Sequence, residues 1–331
     1  MKVRVIVPCY NETEVLQQTI DKLQEVLEID AQRQGYTYDL LFIDDGSKDA
    51  TIDLLQNAAA HSSKVKFISF SRNFGKESAM IAGFEHSVDC DAVIMIDADL
   101  QHPPMLIPDM IRAYMEGYDQ VVAKRNRDGE TVTRKWMTRL YYKMVNYCIE
   151  DIELVDGIGD FRLLSQRAVH ALVNMKEYNR FSKGLFAWIG YHTKIISYDN
   201  VERELGESKW SFRNLLNYAI DGLISFNNKP LRTMIYLGVS IFGLSVVYLI
   251  YLLINTLMHG IAVPGYFSMI AAILLLGGIQ LISIGIVGEY IGRIYYEVKQ
   301  RPKYIVQAAN IDPPHHEVLV PEQSKTHFHT Q

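Results

Sequence analysis

Between Arg232 and Glu289 the chain carries no Asp, Glu, Lys or Arg, an uncharged run of 56 residues. A soluble core has no need of so long a stretch, and one membrane crossing takes about 20 apolar residues, so the run predicts a hairpin of two transmembrane helices. Turn residues at His259-Gly260 and Pro264-Gly265 divide it, placing the spans at about 233–257 and 266–288. Lys229 and Arg232 precede the first span, Arg293, Lys299, Arg301 and Lys303 follow the second, and the intervening loop has no basic residue. Cytoplasmic flanks carry the excess of Lys and Arg, so both termini are predicted to be cytoplasmic. No charged segment followed by a short apolar stretch opens the chain, which predicts no cleaved signal peptide. The whole-chain mean hydropathy of +0.00 conceals this asymmetry.

Ahead of the hairpin, apolar runs alternate with helix-length periodic segments. Residues 3–8, 39–45, 65–70, 92–96 and 119–123 read as strands. Such βα alternation predicts a parallel sheet covered by helices on both faces. The segments that follow the first four strands hold Tyr10-Asn11-Glu12, Asp44-Asp45-Gly46, Arg72-Asn73 and Asp97 to Gln101. Ligands of open α/β sheets sit outside the carboxyl ends of the strands, so this edge is the expected binding crevice. Each group alone is also ordinary turn chemistry, since Asp, Asn and Gly are favoured there for backbone reasons.

Asp97, Asp99 and Gln101 end the fourth strand before Pro103-Pro104. Alternate residues of an extended segment share a side, so three oxygen-bearing side chains can converge on a hard divalent cation. The competing reading is a loop whose Asp side chains cap the next helix. A second acid-bearing loop, Asp156-Gly-Ile-Gly-Asp-Phe-Arg162, lies downstream, followed by basic loops at 179–184 and 206–211. Residues 212–226 keep an apolar helical face directly before the first span and read as a helix lying in the membrane interface. After Pro302 come prolines, charges and four histidines without ligand spacing, which predicts a tail without fixed structure. Cys9, Cys90 and Cys148 form neither a metal nor a redox spacing, as suits a reducing compartment. No basic stripe with interleaved aromatics argues for nucleic acid.

Taken together, Val5-Ile-Val-Pro-Cys-Tyr-Asn-Glu12, Asp44-Asp-Gly-Ser47, Ser71-Arg-Asn-Phe-Gly-Lys76, Asp97-Ala-Asp-Leu-Gln101 and Gly159-Asp-Phe-Arg162 resemble family 2 glycosyltransferases. More narrowly, with the C-terminal hairpin, the chain resembles bacterial polyprenyl-phosphate (undecaprenyl-phosphate) glycosyltransferases related to dolichol-phosphate mannose synthase. The resemblance implies an α/β GT-A (Rossmann-like) catalytic domain over residues 1–210, an interfacial helix at 211–230, the hairpin at 231–289, and a juxtamembrane helix with a flexible tail at 290–331. It implies that Pro8, Tyr10, Glu12, Asp45, Lys76 and Asp97 hold a nucleotide sugar. Asp97, Asp99 and Gln101 would hold Mg2+ or Mn2+ on its diphosphate. Arg125, Arg139, Lys143 and Lys209 would bind the acceptor phosphate, with Asp160 as base or orienting acid and Asp156 an alternative to it. The implied reaction is inverting transfer from a UDP-sugar, UDP-N-acetylglucosamine ahead of UDP-glucose, to polyprenyl phosphate. Membrane lipids and a second copy of the chain are further expected partners, and the bacterial cell membrane the expected place. A nucleotide-sugar-binding scaffold without transferase activity is the alternative. Two spans and the lack of Gln-x-x-Arg-Trp argue against a processive polymer synthase.

Overall fold

The computed structural model describes residues 1–126, 146, 155–198, 229–259 and 265–313. The first strand, β1 (Lys2–Cys9), is paired in parallel with β2 (Thr37–Asp44) and β4 (Ala92–Met95), and β2 with β3 (Val65–Phe70). Helices α1 (Leu16–Gln34), α2 (Thr51–His61) and α3 (Lys76–Glu85) connect these strands, and α4 (Ile107–Met115) follows β4. Alternation of the strand side chains divides the core. Val3, Val5 and Val7 pack with Leu16, Ile20 and Ile107 on one face, while Ile6, Leu41 and Ile43 pack with Met80, Phe84 and Leu172 on the other.

The expected all-parallel sheet is instead mixed. The segment read as an acid-bearing loop begins β6 (Ile158–Ser165), which runs antiparallel between β4 and β5 (Gln120–Arg125). Beyond β5 lies β7 (Thr193–Tyr198), giving the order β7-β5-β6-β4-β1-β2-β3. Phe161, Leu163 and Leu164 are fully buried, so β6 is held by both layers of the core. Helices α5 (Gln166–Asn174), begun by the Ser165 hydroxyl accepting from the Ala168 amide, and α6 (Ser182–Trp188) cover the sheet beside α3.

Two long apolar helices follow, α7 (Lys229–His259) and α8 (Tyr266–Lys299), separated where the turn residues predict. Among the described residues one stretch, Leu275–Lys299, is long and apolar enough by itself to cross a membrane; Tyr236–Tyr248 is apolar but shorter. The juxtamembrane segment after residue 289 is continuous with α8 rather than a separate helix. The tail also departs from expectation. Residues Val306–Ala309 form β8, an eighth strand antiparallel to the edge of β3. Tyr304 stacks on Phe70 at 4.8 Å and donates to Glu85, and Asn310 bonds the Phe67 amide and the Val65 carbonyl. Edge-strand backbone groups and one aromatic side chain give this polar segment its order. The interfacial helix expected at 212–226 lies outside the described residues.

Candidate active site

Strand register brings the two acids together. Met95 pairs with Arg162, and because β4 and β6 run in opposite directions, two residues onward along β4 and two back along β6 are Asp97 and Asp160. Lys76, at the start of α3, closes the group: its Nζ lies 2.7 Å from Asp97 Oδ1 and 2.7 Å from Asp160 Oδ2. The Asp160 side chain is 19% exposed, and burial favours its neutral form. The Lys76 charge, aided by Lys183, overrides that and holds its pKa at about 2. His102 completes the wall. Its ring stacks on Phe161 at 5.2 Å and its Nδ1, buried without a hydrogen-bond partner, lies 3.9 Å from Asp97 Oδ2. Burial lowers the His102 pKa despite the neighbouring carboxylates, so the neutral ring is favoured.

The neighbouring strand ends are laced together by backbone donors. Asn11, at φ 55°, donates its amide to Ser47 and accepts from the Lys48 amide, while the Glu12 amide donates to Thr51. Asp45 is buried, with one carboxylate oxygen accepting from Phe74 N at 2.6 Å and the other from Gly75 N at 2.9 Å. Its pKa is raised by burial even so. Gly46 makes the approach feasible: a Cβ there would come within 2.3 Å of the Arg72 backbone, and its φ of +67° suits glycine. Asp45 therefore fixes the 71–75 loop that carries Lys76 to the two acids. Pro8 and Tyr10 stand at the same edge, half-buried, as does Arg125 at the end of β5.

Asp99 and Gln101 do not join Asp97 in the way strand alternation predicts. Strand β4 ends at Met95, the chain turns through residues 98–99 and Leu100 takes φ 56°. Asp99 Oδ1 accepts from the Gln101 amide, and both residues line a cavity of about 770 Å³ whose far wall is α1. Among the described residues no three His, Cys, Asp or Glu side chains form a metal-ligating group. The donor set nevertheless fits a hard cation. Asp97 and Asp160 lie close enough for one ammonium to bridge them, an orphaned imidazole nitrogen faces Asp97, and Mg2+ needs only one or two protein carboxylates. Arg139, Lys143 and Lys209 lie outside the described residues. Sequence reasoning passed over His102, although it directly follows Gln101, and Lys183, which charges the surroundings of Asp160 from α6.

Residues 4–173 match the model of glycosyl transferase family 2, and residues 229–294 match the GtrB C-terminal hairpin. The chain is 52% identical over 309 residues to the putative glycosyltransferase CsbB of Bacillus subtilis, covering 93% of this chain and 92% of that protein. This chain belongs to glycosyl transferase family 2. It is a glycosyltransferase, and its α/β sheet with acids at the strand ends is that family's GT-A-like catalytic domain. The bactoprenol glucosyl transferase of Shigella phage SfII is 41% identical over 318 residues, which cover 94% of this chain and 99% of that one. Among solved structures, the mannosyltransferase PcManGT of Pyrobaculum calidifontis, in complex with GDP-Man and Mn2+, aligns with 13% identity and a TM-score of 0.43 over 90% of this chain and 86% of that one.

Proposed function

We propose that this glycosyltransferase moves a sugar from a UDP-sugar to polyprenyl phosphate at the cytoplasmic leaflet of a bacterial membrane, inverting the anomeric carbon. The observation that carries the reading is the Asp97–Lys76–Asp160 cluster at the carboxyl edge of the sheet. Pro8, Tyr10 and Glu12 hold the nucleotide end of the donor, with Asp45 acting through the loop it fixes. Asp97, beside Asp160, would hold Mg2+ or Mn2+, and the cation when bound would supply Lewis-acid stabilisation of the leaving diphosphate. Lys76 adds a second positive charge beside the same group. The acceptor phosphate, with a second pKa of about 6, is already ionised at neutral pH and needs orienting more than deprotonating. A carboxyl held at about 2 is a poor proton acceptor, which supports Asp160 as the orienting group. Arg125, with Arg139, Lys143 and Lys209, holds the acceptor phosphate against the donor.

Relatives named as bactoprenol glucosyl transferases support polyprenyl phosphate as acceptor and shift the preferred donor from UDP-N-acetylglucosamine to UDP-glucose. The match to a C-terminal hairpin supports two membrane crossings by α7 and α8. The deciding experiment incubates the purified full chain with polyprenyl phosphate and a panel of UDP-sugars, with product lipids read by mass spectrometry. A hexose-phosphate lipid that disappears in excess chelator is expected. No product from any UDP-sugar, with nucleotide binding intact, would leave the protein a binding scaffold.

A further inference from the structure

A second cavity, of about 440 Å³, opens where the catalytic domain meets the chain leaving α8. Its walls are the 72–81 stretch, the segment Tyr178–Arg180, and Lys303, four residues past the end of α8. It lies on a different side of the α3 start from the catalytic cluster: Lys76 points to Asp97 and Asp160, whereas Glu77, which lines the cavity, bonds the Ser182 amide and hydroxyl.

Arg72, Arg180 and Lys303 bring three positive charges to this one space. Among the described residues none of the three forms an ion pair. Arg72 donates to the Asn73 carbonyl and lies over the Phe74 ring, and Arg180 donates to the carbonyls of Met175 and Leu172. Of the acids nearby, Glu177 acts on Arg180 and Lys303 through space, and the other three are hydrogen-bonded elsewhere. Glu77 is taken by Ser182, Glu297 accepts the amides of Tyr178 and Asn179, and Glu85 accepts the Tyr304 hydroxyl. A fourth donor is wholly idle: Asn179 Nδ2 is buried without a partner. Buried donors are ordinarily hydrogen-bonded, and like charges crowded into one partly dry space cost free energy until an anion joins them. Burial lowers the Lys303 pKa and Arg180 lowers it further, together outweighing the opposing pull of Glu85, Glu297 and Glu177.

We propose that this cavity is a binding site for a phosphate group, carried by a membrane lipid or free in solution. Guanidinium, ammonium and amide donors from three chain segments match a multiply charged oxyanion better than a neutral ligand. The foot of α8 is where a lipid headgroup would meet the protein. Only this choice between lipid-borne and free phosphate rests on the membrane placement proposed above.

The test is calorimetric titration of the full chain in detergent with inorganic phosphate and with a short-chain isoprenyl monophosphate, the corresponding alcohol serving as control. Saturating UDP covers the donor site. Lys303→Gln is expected to weaken phosphate binding about tenfold, with Lys303→Arg close to wild type and all three proteins unfolding at the same temperature. Lys303-dependent affinity much tighter for isoprenyl phosphate than for inorganic phosphate assigns the site to a lipid; Lys303-dependent affinity equal for the two assigns it to free phosphate. Binding of neither probe to the wild type, or equal affinity in Lys303→Gln, overturns the proposal. Sugar transfer measured in parallel separates the two readings. A wild type that transfers sugar but binds neither probe counts against this site alone, and a wild type that binds phosphate through Lys303 but transfers no sugar counts against the proposed reaction alone.

Discussion

Lys76 places one ammonium between two acids from different strands, and its charge is the main reason that Asp160 stays ionised in a largely buried position. Replacing Lys76 by Met leaves burial opposed only by Lys183 and Arg162, so the Asp160 pKa rises from about 2. A carboxyl that protonates at higher pH loses its orienting charge sooner on acidification. The acid limb of the transfer-rate profile should therefore move up by about one pH unit or more, alongside a fall in rate. An unmoved limb would show that Lys76 does not set this carboxyl. A second buried pair lies far from the chemistry. Arg4, 2% exposed, bonds both oxygens of Asp39, and β1–β2 register places the two directly opposite. Against burial, Arg4 and Lys66 hold Asp39 below its ordinary value of about 3.9. Its contribution to stability is thus complete above that value and lost as pH falls through the lower folded one. Asp39→Asn leaves Arg4 buried without its counter-charge and should cost about 3–5 kcal/mol in denaturant unfolding. Residues 3–8 read correctly from sequence as a doubly buried strand, but the charge inside it did not. Its partner lies 35 residues away, and only strand pairing reveals the match.

At the scale of elements, what was legible depended on length and periodicity. The first three βα units announce themselves by apolar runs and helical spacing, and the structure forms them where those patterns lie. Strand β6 was hidden because its first residues, Ile158-Gly159-Asp160, carry a glycine and an acid, the composition of a turn. Its antiparallel entry between β4 and β5 is nevertheless what sets Asp160 level with Asp97. Strand β8 was hidden for a different reason: it is four residues long and mostly exposed, and its order comes from β3 rather than from its own sequence. Together with the stacking of Tyr178 on Tyr296 and the Glu297 contacts, it fastens the end of α8 to the catalytic domain. Tyr304→Ala removes the ring stacked on Phe70 and the bond to Glu85. The variant should lose about 2–3 kcal/mol of stability and become open to trypsin after Lys303. Cleavage at the wild-type rate would show that β8 does not hold this segment down.

Over the whole molecule, chemistry and anchorage are separated along the chain, and the separation is written in charge. The 56-residue run without Asp, Glu, Lys or Arg lies after the complete catalytic sheet except for β8, which returns from beyond α8 to the β3 edge. That return constrains the topology. Because residues before α7 and after α8 both belong with the catalytic domain, the two long helices must leave it and come back. An even number of crossings satisfies this; a single crossing by Leu275–Lys299 alone would carry β8 to the opposite side of the membrane from β3, and no crossing would leave residues 260–264 on the domain's side. The basic residues at both ends of the hairpin favour the double crossing with the domain in the cytoplasm. A cysteine placed at Ala262, in a chain whose Cys9 and Cys90 are buried and whose Cys148 is replaced by Ser, distinguishes these arrangements. In intact cells a membrane-impermeant maleimide should label that cysteine from outside. Labelling only after the cells are opened would put residue 262 on the side of the catalytic domain and leave α7 and α8 without a crossing.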